Sequence, residues 1–142
     1  MIYRTTVSAV IKHKHTNKYL LVKQPQDRGV YPGQWAIPGG GIDANETMYQ
    51  ALRRECQEEV GLEIDNISPL RFDDATRNKF SPDGPETEVY MIMLVFTCDT
   101  STDVVSINNE AETYVWVELN NALTYDLNPP TKKTFELLVK QP

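Results

Sequence analysis

The stretch Gly40–Leu62, GGIDANETMYQALRRECQEEVGL, decides the fold, because one helix in it carries two different faces. Thr47 to Val60 lies between Gly41 and Gly61, and a glycine in that second place suits a helix stop. Met48, Leu52, Cys56 and Val60 recur every four positions, which predicts a stripe turned toward a core. Glu55, Glu58 and Glu59 fall within roughly 100° of arc beside that stripe. Carboxylates three and four positions apart repel one another, and a solvated helix face ordinarily dilutes them with lysine. Here the only nearby bases are Arg53 and Arg54, with Arg54 one turn before Glu58 and able to pair with it. Hard oxygen ligands on a rigid element are what Mg²⁺ or Mn²⁺ requires. On spacing alone, a plain acidic surface helix accounts for the three glutamates at least as well.

Working outward, Thr5 to Ile11 is rich in β-branched residues and reads as a strand, as does Tyr19 to Lys23, so the two form a hairpin. Gln24 to Gln34 is broken by Pro25, Gly29, Pro32 and Gly33 and reads as an irregular loop. Trp35 to Ile37 is a short apolar run ending in Pro38-Gly39-Gly40-Gly41. Beyond the helix, Ile64 to Phe72 is a strand in which Pro69 marks an edge or a bulge, and Asp73 to Glu86 is a polar loop. Glu88 to Thr97 is nearly all apolar and reads as a strand buried on both faces. Asp99 to Asn109 is a polar connection, and Thr113 to Val117 a last strand. Asn128-Pro129-Pro130 opens a helix over Thr131 to Val139, with Phe135, Leu138 and Val139 inward. Strands with two helices packed against them predict an α+β domain, layered α/β/α. A chain of 142 residues fits a single domain, 1–142.

Twenty acids against fourteen bases give a formal charge of −6, which argues against a nucleic acid polymer as partner because that needs a basic face. A small phosphorylated substrate stays open, since a cation bridges acid to acid. Cys56 and Cys98 match no zinc spacing and read as buried free thiols, which suits a cytoplasmic protein. The start has no signal-peptide core, and the longest apolar run, Val89 to Cys98, is too short for a bilayer, so no membrane is expected. Trp35 and Trp116 are core anchors, and His13 and His15, on a lysine-rich turn, receive no role.

The surroundings of the carboxylates sharpen their meaning. Gly40, five residues, Glu46, seven residues, then Arg54-Glu55-Cys56-Gln57-Glu58-Glu59-Val60-Gly61-Leu62 resembles the Nudix box at every defined position. Cys56, in a slot where an aliphatic residue is more usual, is a mild departure. The run Trp35 to Gly41 looks like the family's entry loop, and Pro38 is common there. The resemblance implies a mixed β-sheet sandwiched between helices and a Mg²⁺-dependent (or Mn²⁺-dependent) hydrolase of nucleotide diphosphate linkages. Glu55, Glu58 and Glu59 match the metal-ligating glutamates, and the Gly39 carbonyl matches a further ligand. Arg54 matches the arginine that orients them, and Glu46 with Gly40 the loop–helix support. As general base the family uses either a glutamate of the box, here Glu55, or one on a later loop, for which Glu110 is the first choice and Glu112 the second.

Substrate choice lies outside the box. Asp27 to Trp35, Phe72 to Arg77 with Asp83-Gly84 beyond, and Tyr125 to Asn128 look like the bacterial Nudix nucleoside triphosphatases that prefer pyrimidine deoxynucleotides. In that subfamily the Pro38 place carries a smaller polar residue, a departure that leaves its effect on specificity open. The likeness implies release of nucleoside monophosphate and pyrophosphate, and a homodimer that no feature of the sequence itself displays. Arg28 and Arg77 are candidates to grip phosphate oxygens. Tyr90, Phe80 or Tyr125 would stack on a base, and Asp126 and Asn128 would bond its edge. The rivals are a Nudix hydrolase of nucleotide sugars, ADP-ribose or dinucleoside polyphosphates, a non-catalytic nucleotide-binding Nudix domain, and a structural β-rich domain with an acidic helix.

Overall fold

β1 (Ile2–His13) organises the sheet of the computed structural model, which describes residues 1–141. After it come β2 (Tyr19–Lys23), β3 (Trp35–Ala36), β4 (Gly39–Gly41), α1 (Met48–Val60), β5 (Asp65–Lys79), β6 (Thr87–Thr100), β7 (Thr113–Val117), α2 (Leu119–Ala122) and α3 (Pro129–Lys140). One edge of β1 is taken along its whole length by β6, in parallel, from Ile2↔Val89 to His13↔Thr100. Its other edge is shared by β2, antiparallel at Lys12↔Tyr19, and by β4, whose glycines oppose Thr6, Val7 and Ser8. β2 carries β3 and β7, and β5 closes the far side against β6, so the seven-stranded sheet is mixed.

Strand alternation gives the sheet two apolar faces. Val7, Ala9, Ile11, Leu20 and Val22 pack against Ala51, Leu52, Cys56 and Val60 of α1. Val10, Leu21, Val95 and Val117 pack against Phe135 and Leu138 of α3. The two helices therefore sit on opposite faces, as the expected α/β/α layering requires. Each fully buried aliphatic side chain in these layers contributes about 1.5–3 kcal/mol. α1 begins at a capping box, in which Thr47 Oγ1 accepts the Gln50 N–H at 3.1 Å and Gln50 Oε1 accepts the Thr47 N–H at 2.9 Å. It ends at Gly61, whose φ of 68° is the left-handed conformation that closes the last turn. Cys56 and Cys98 are buried and free, and no helix among the described residues is long and apolar enough to cross a membrane.

Several expectations are corrected. Met48 is exposed and Ala51 takes its place, because a strict four-residue series drifts about 40° per step around a helix of 3.6 residues per turn. Val139 is likewise exposed, while Thr131 and Thr134 join Phe135 and Leu138 in the buried stripe. The segment 73–79 is strand, not loop: polar side chains such as Asp73 and Arg77 keep an edge strand solvated while its backbone pairs with Met93 and Val89. Pro69 does mark an edge and a bulge, since β5 is the outer strand beside β6 and their register slips between Pro69 and Arg71. β6 is buried on both faces only in its second half, where Val95 packs on the α3 side and Phe96 and Cys98 on the α1 side. In its first half Val89, Met91 and Met93 face inward, whereas Ile92, on the other face, is 41% exposed. His13 is not on a solvated turn either; it is buried, and its Nδ1 accepts the N–H groups of His15 and Thr16.

Candidate active site

The site forms where β4, α1 and the 101–112 connection meet. On α1, Glu55 and Glu59 are turned inward and buried, although both are acids. They are one turn apart, so the core stripe that buries Leu52, Cys56 and Val60 carries them along its margin. Across from them, Glu110 extends from the connection. One carboxylate oxygen from each of the three lies within 4.8 Å of the other two. Burial pushes the Glu59 carboxyl up to about 8, with the Glu110 and Glu55 charges adding to it and the Gly39 N–H, donated at 3.0 Å, opposing it. Burial also raises Glu55, against the pull of Arg54.

Arg54 and Glu46 form a separate brace. The Arg54 guanidinium grips both Glu46 oxygens, Nε to Oε2 and Nη2 to Oε1 each at 2.8 Å. It also donates to the Gly41 carbonyl at 3.0 Å, Glu55 Oε1 at 3.0 Å and Glu58 Oε2 at 3.2 Å. Glu46 accepts the Asp43 N–H as well, and these bonds, Arg54 first, hold its carboxyl down to about 2. The brace therefore joins the loop before α1 to the glutamate on α1. Glu58 belongs to it: its side chain is 53% exposed, on the Arg54 side and outside the three-carboxylate group.

The three carboxylates fit a divalent cation. Their oxygens are hard donors at the right mutual spacing, and of the two that are buried Glu55 pairs with Arg54 while Glu59 makes no ion pair among the described residues. β4 is shaped around them. A Cβ on Gly40 would lie 2.5–2.6 Å from the Glu55 carboxylate and would push it aside, so the glycine leaves that carboxylate its place. Next to the group opens a cleft of about 500 Å³, of the size that takes a small-molecule ligand. Gly39 to Gly41, Glu55, Glu59 and Glu110 line one part of it, and Met91, Met93, Ile37 and Tyr31 another.

The other sequence candidates divide. Arg28 lines the cleft, but it donates to the Asn109 carbonyl and, at 3.0 Å, to Asp27 Oδ1. Arg77 lies over the Tyr31 ring, 4.9 Å from its centroid. Asn128 is buried at the cleft wall, where its Oδ1 accepts the Thr131 N–H at 2.9 Å and caps α3. Phe80 lines the rim and bridges to Gly29. Tyr125 packs edge-on against Trp35 at 5.2 Å, and exposed Asp126 accepts from Gln34 Nε2. Tyr90 is not brought to the cleft. Met91 and Met93 face it, so alternation turns Tyr90 to the opposite face, where its hydroxyl donates to Asp74 at 2.8 Å. Glu112 is directed at Lys23, 4.0 Å away. Arg4 was missed. It lines the cleft, with Nη2 only 2.6 Å from where a Cβ on Gly41 would sit. The signal was available in β1, where Arg4, Thr6 and Ser8 alternate with the apolar Val7 and Ala9.

Comparison with known proteins agrees with this architecture. Residues 2–138 match the family model described as the NUDIX domain. The chain is 45% identical to the nucleoside triphosphatase NudI of Escherichia coli (strain K12) over 139 residues, 96% of this chain and 97% of that one. Among solved structures it is similar to the MutT protein of Methanosarcina mazei Go1, with a TM-score of 0.72 at 23% identity over 99% of this chain and 97% of the other. It is also similar to the NUDIX domain of Shewanella oneidensis NrtR, complexed with ADP ribose, with a TM-score of 0.75 at 22% identity over 99% and 88%. At such identities the two structures speak for the fold alone.

Proposed function

The chain belongs to the Nudix family, and on that premise we propose that it is a divalent-metal-dependent hydrolase of nucleoside triphosphates, releasing monophosphate and pyrophosphate, with pyrimidine deoxynucleotides preferred. The observation that carries the chemistry is the Glu55–Glu59–Glu110 group beside the cleft. The near-full-length likeness to a nucleoside triphosphatase, at 44–45% identity, supports the substrate class.

A diphosphate linkage is inert because its anionic oxygens repel a nucleophile. A cation, Mg²⁺ in the first instance, held by Glu55, Glu59, Glu110 and the Gly39 carbonyl would neutralise that charge and make a bound water more acidic. The chain's own groups do the rest. Glu55 and Glu59 are fixed on α1, and Arg54, locked to Glu46, fixes the Glu55 oxygen it touches. Glu58 serves this brace through its bond to Arg54. Glu110, the exposed member of the group, takes the proton of the attacking water, with Glu55 the alternative base. Water adds across the α–β anhydride, the bridging oxygen leaves with one fragment, and the proton rests on the carboxylate before passing to solvent. Arg4 and Arg28 supply positive charge at the cleft wall, Tyr31 and the two methionines its apolar side, and Asn128 a side-chain amide.

A panel of deoxynucleoside triphosphates, ribonucleoside triphosphates, nucleotide sugars, ADP-ribose and dinucleoside polyphosphates, run with Mg²⁺ and read for phosphate and pyrophosphate, tests the reading. Pyrophosphate from pyrimidine deoxynucleotides is expected. Activity confined to nucleotide sugars or ADP-ribose would reject the substrate, and no turnover anywhere on the panel would favour a nucleotide-binding domain.

A further inference from the structure

Two of the three clustered carboxylates ride on a helix, but the third does not. Glu110 lies in the 101–112 connection, which has no regular secondary structure, and its side chain is exposed. The Glu55 carboxylate, and Glu59 once it has lost its proton, push it away. Something must hold that carboxylate against the repulsion, and one residue is bonded to both sides.

We infer that Asn108 is the positioning residue that holds Glu110 in register with Glu59. Its backbone N–H donates to the Glu59 carbonyl at 3.2 Å, and its side-chain Oδ1 accepts the Glu110 N–H at 2.9 Å. Its own carbonyl accepts the Ala111 N–H at 3.4 Å, closing a turn around Glu110. The Glu59 carbonyl is free to accept because it lies in the last turn of α1, where carbonyls have no partner within the helix. Ser106 uses the next one, donating to Val60 at 2.9 Å. The connection thus docks on the helix end through the residue that also supplies the buried carboxylate. Arg28 adds a second hold by donating to the Asn109 carbonyl, so this arginine steadies the loop as well as lining the cleft. The inference rests on the metal reading of the carboxylate group but is separable from the choice of nucleotide.

The test is Mn²⁺ affinity, measured by paramagnetic resonance on the full chain without nucleotide, for wild type, Asn108→Ala and Asn108→Asp. Removing a group that orients a ligand costs about 10–100-fold in metal affinity. Asn108→Ala is expected in that range, with a matching fall in kcat and little change in KM at saturating Mn²⁺. Asn108→Asp keeps an acceptor oxygen in the same place and is expected to restore affinity to within a few-fold. Combining Asn108→Ala with Glu110→Gln separates positioning from general loosening. If Asn108 acts through Glu110, the double variant is no worse than Glu110→Gln alone, whereas independent effects multiply. Wild-type affinity in Asn108→Ala, failure of Asn108→Asp to restore it, or multiplying losses in the double variant would each overturn the inference. Should Asn108→Ala not fold, Asn108→Ser, which keeps a shorter acceptor, replaces it with an intermediate loss expected. The proposed substrate is tested separately, since a wild type that binds Mn²⁺ but cleaves no triphosphate leaves this comparison intact.

Discussion

α1 and the 101–112 connection bring carboxylates to the same place by opposite means. Glu55 and Glu59 are buried by a stripe that holds them whatever their charge, and the cost appears as raised carboxyl affinities for protons. Glu110 is exposed and held through its backbone, by bonds to a neighbouring side chain and a helix end. A helix fixes ligands by packing, which is stiff and hard to tune. A docked loop fixes one by a few hydrogen bonds, which leaves it able to move as substrate and product exchange.

Breaking the helical half should cost most. Glu59→Gln removes a buried ligand, and the loss of several kcal/mol of charge stabilisation predicts a kcat lower by about 10³-fold, checked by single-turnover assay with the best substrate of the panel. Breaking the loop half should cost less: Glu110→Gln is expected to lower kcat by about 10²-fold while substrate binding stays nearly intact. Wild-type turnover in that variant would remove Glu110 from the mechanism. Gly40→Ala attacks the fit between strand and helix, since its Cβ would force the Glu55 carboxylate aside. A loss of metal affinity of about 10–100-fold is expected, with the helix content by circular dichroism unchanged.

The two halves should also separate by pH. Glu59 holds its proton up to about 8 when folded, against about 4.3 for a glutamate in an unfolded chain. The folded protein therefore binds this proton more tightly, and the stability it brings is full below the unfolded value and is lost as pH rises through 8. Metal-free protein is expected to melt at falling temperatures from pH 6 to 8.5, and metal affinity to rise over the same interval as the carboxyl empties. A Glu59→Gln variant with the same slope as wild type would assign the effect elsewhere. The smallest change is expected for Glu58→Gln, a few-fold at most, because that side chain is half exposed and braced by Arg54. A loss as large as that of Glu59→Gln would make Glu58 a full member of the cation site.

Much of this was legible because it is local. The Gly61 stop of α1 and the stripe from Leu52 to Val60 follow from spacing within a few turns of chain, whereas Arg54 and Glu46 had their roles only from the family resemblance, and the ion pair between them is legible only in the structure. What was not legible depends on partners far away in sequence. Asp73 to Lys79 read as loop because nothing in its composition announces pairing with β6. His13 read as surface because its cover comes from Trp116 and from its own turn. Tyr90 was a candidate because an aromatic residue on a strand gives no sign of its face until Met91 and Met93 fix which one lines the cleft. Glu110 stood out only by family likeness, and Arg4 only in retrospect, from the alternation of β1.

The parallel ladder between β1 and β6 has a consequence in time. Every rung from Ile2↔Val89 to His13↔Thr100 joins residues far apart along the chain. Closing a loop of roughly ninety residues costs about 4 kcal/mol of entropy before any contact repays it. Until β6 exists, the first strand lacks a neighbour along one whole edge, and α1 has only part of a surface on which to bury Leu52 and Cys56. A chain emerging from the ribosome thus carries its carboxylate helix for some time before the loop bearing Glu110 has been synthesised. Refolding on the millisecond-to-second scale typical of distant pairings is expected, with cation binding arising only in the last phase.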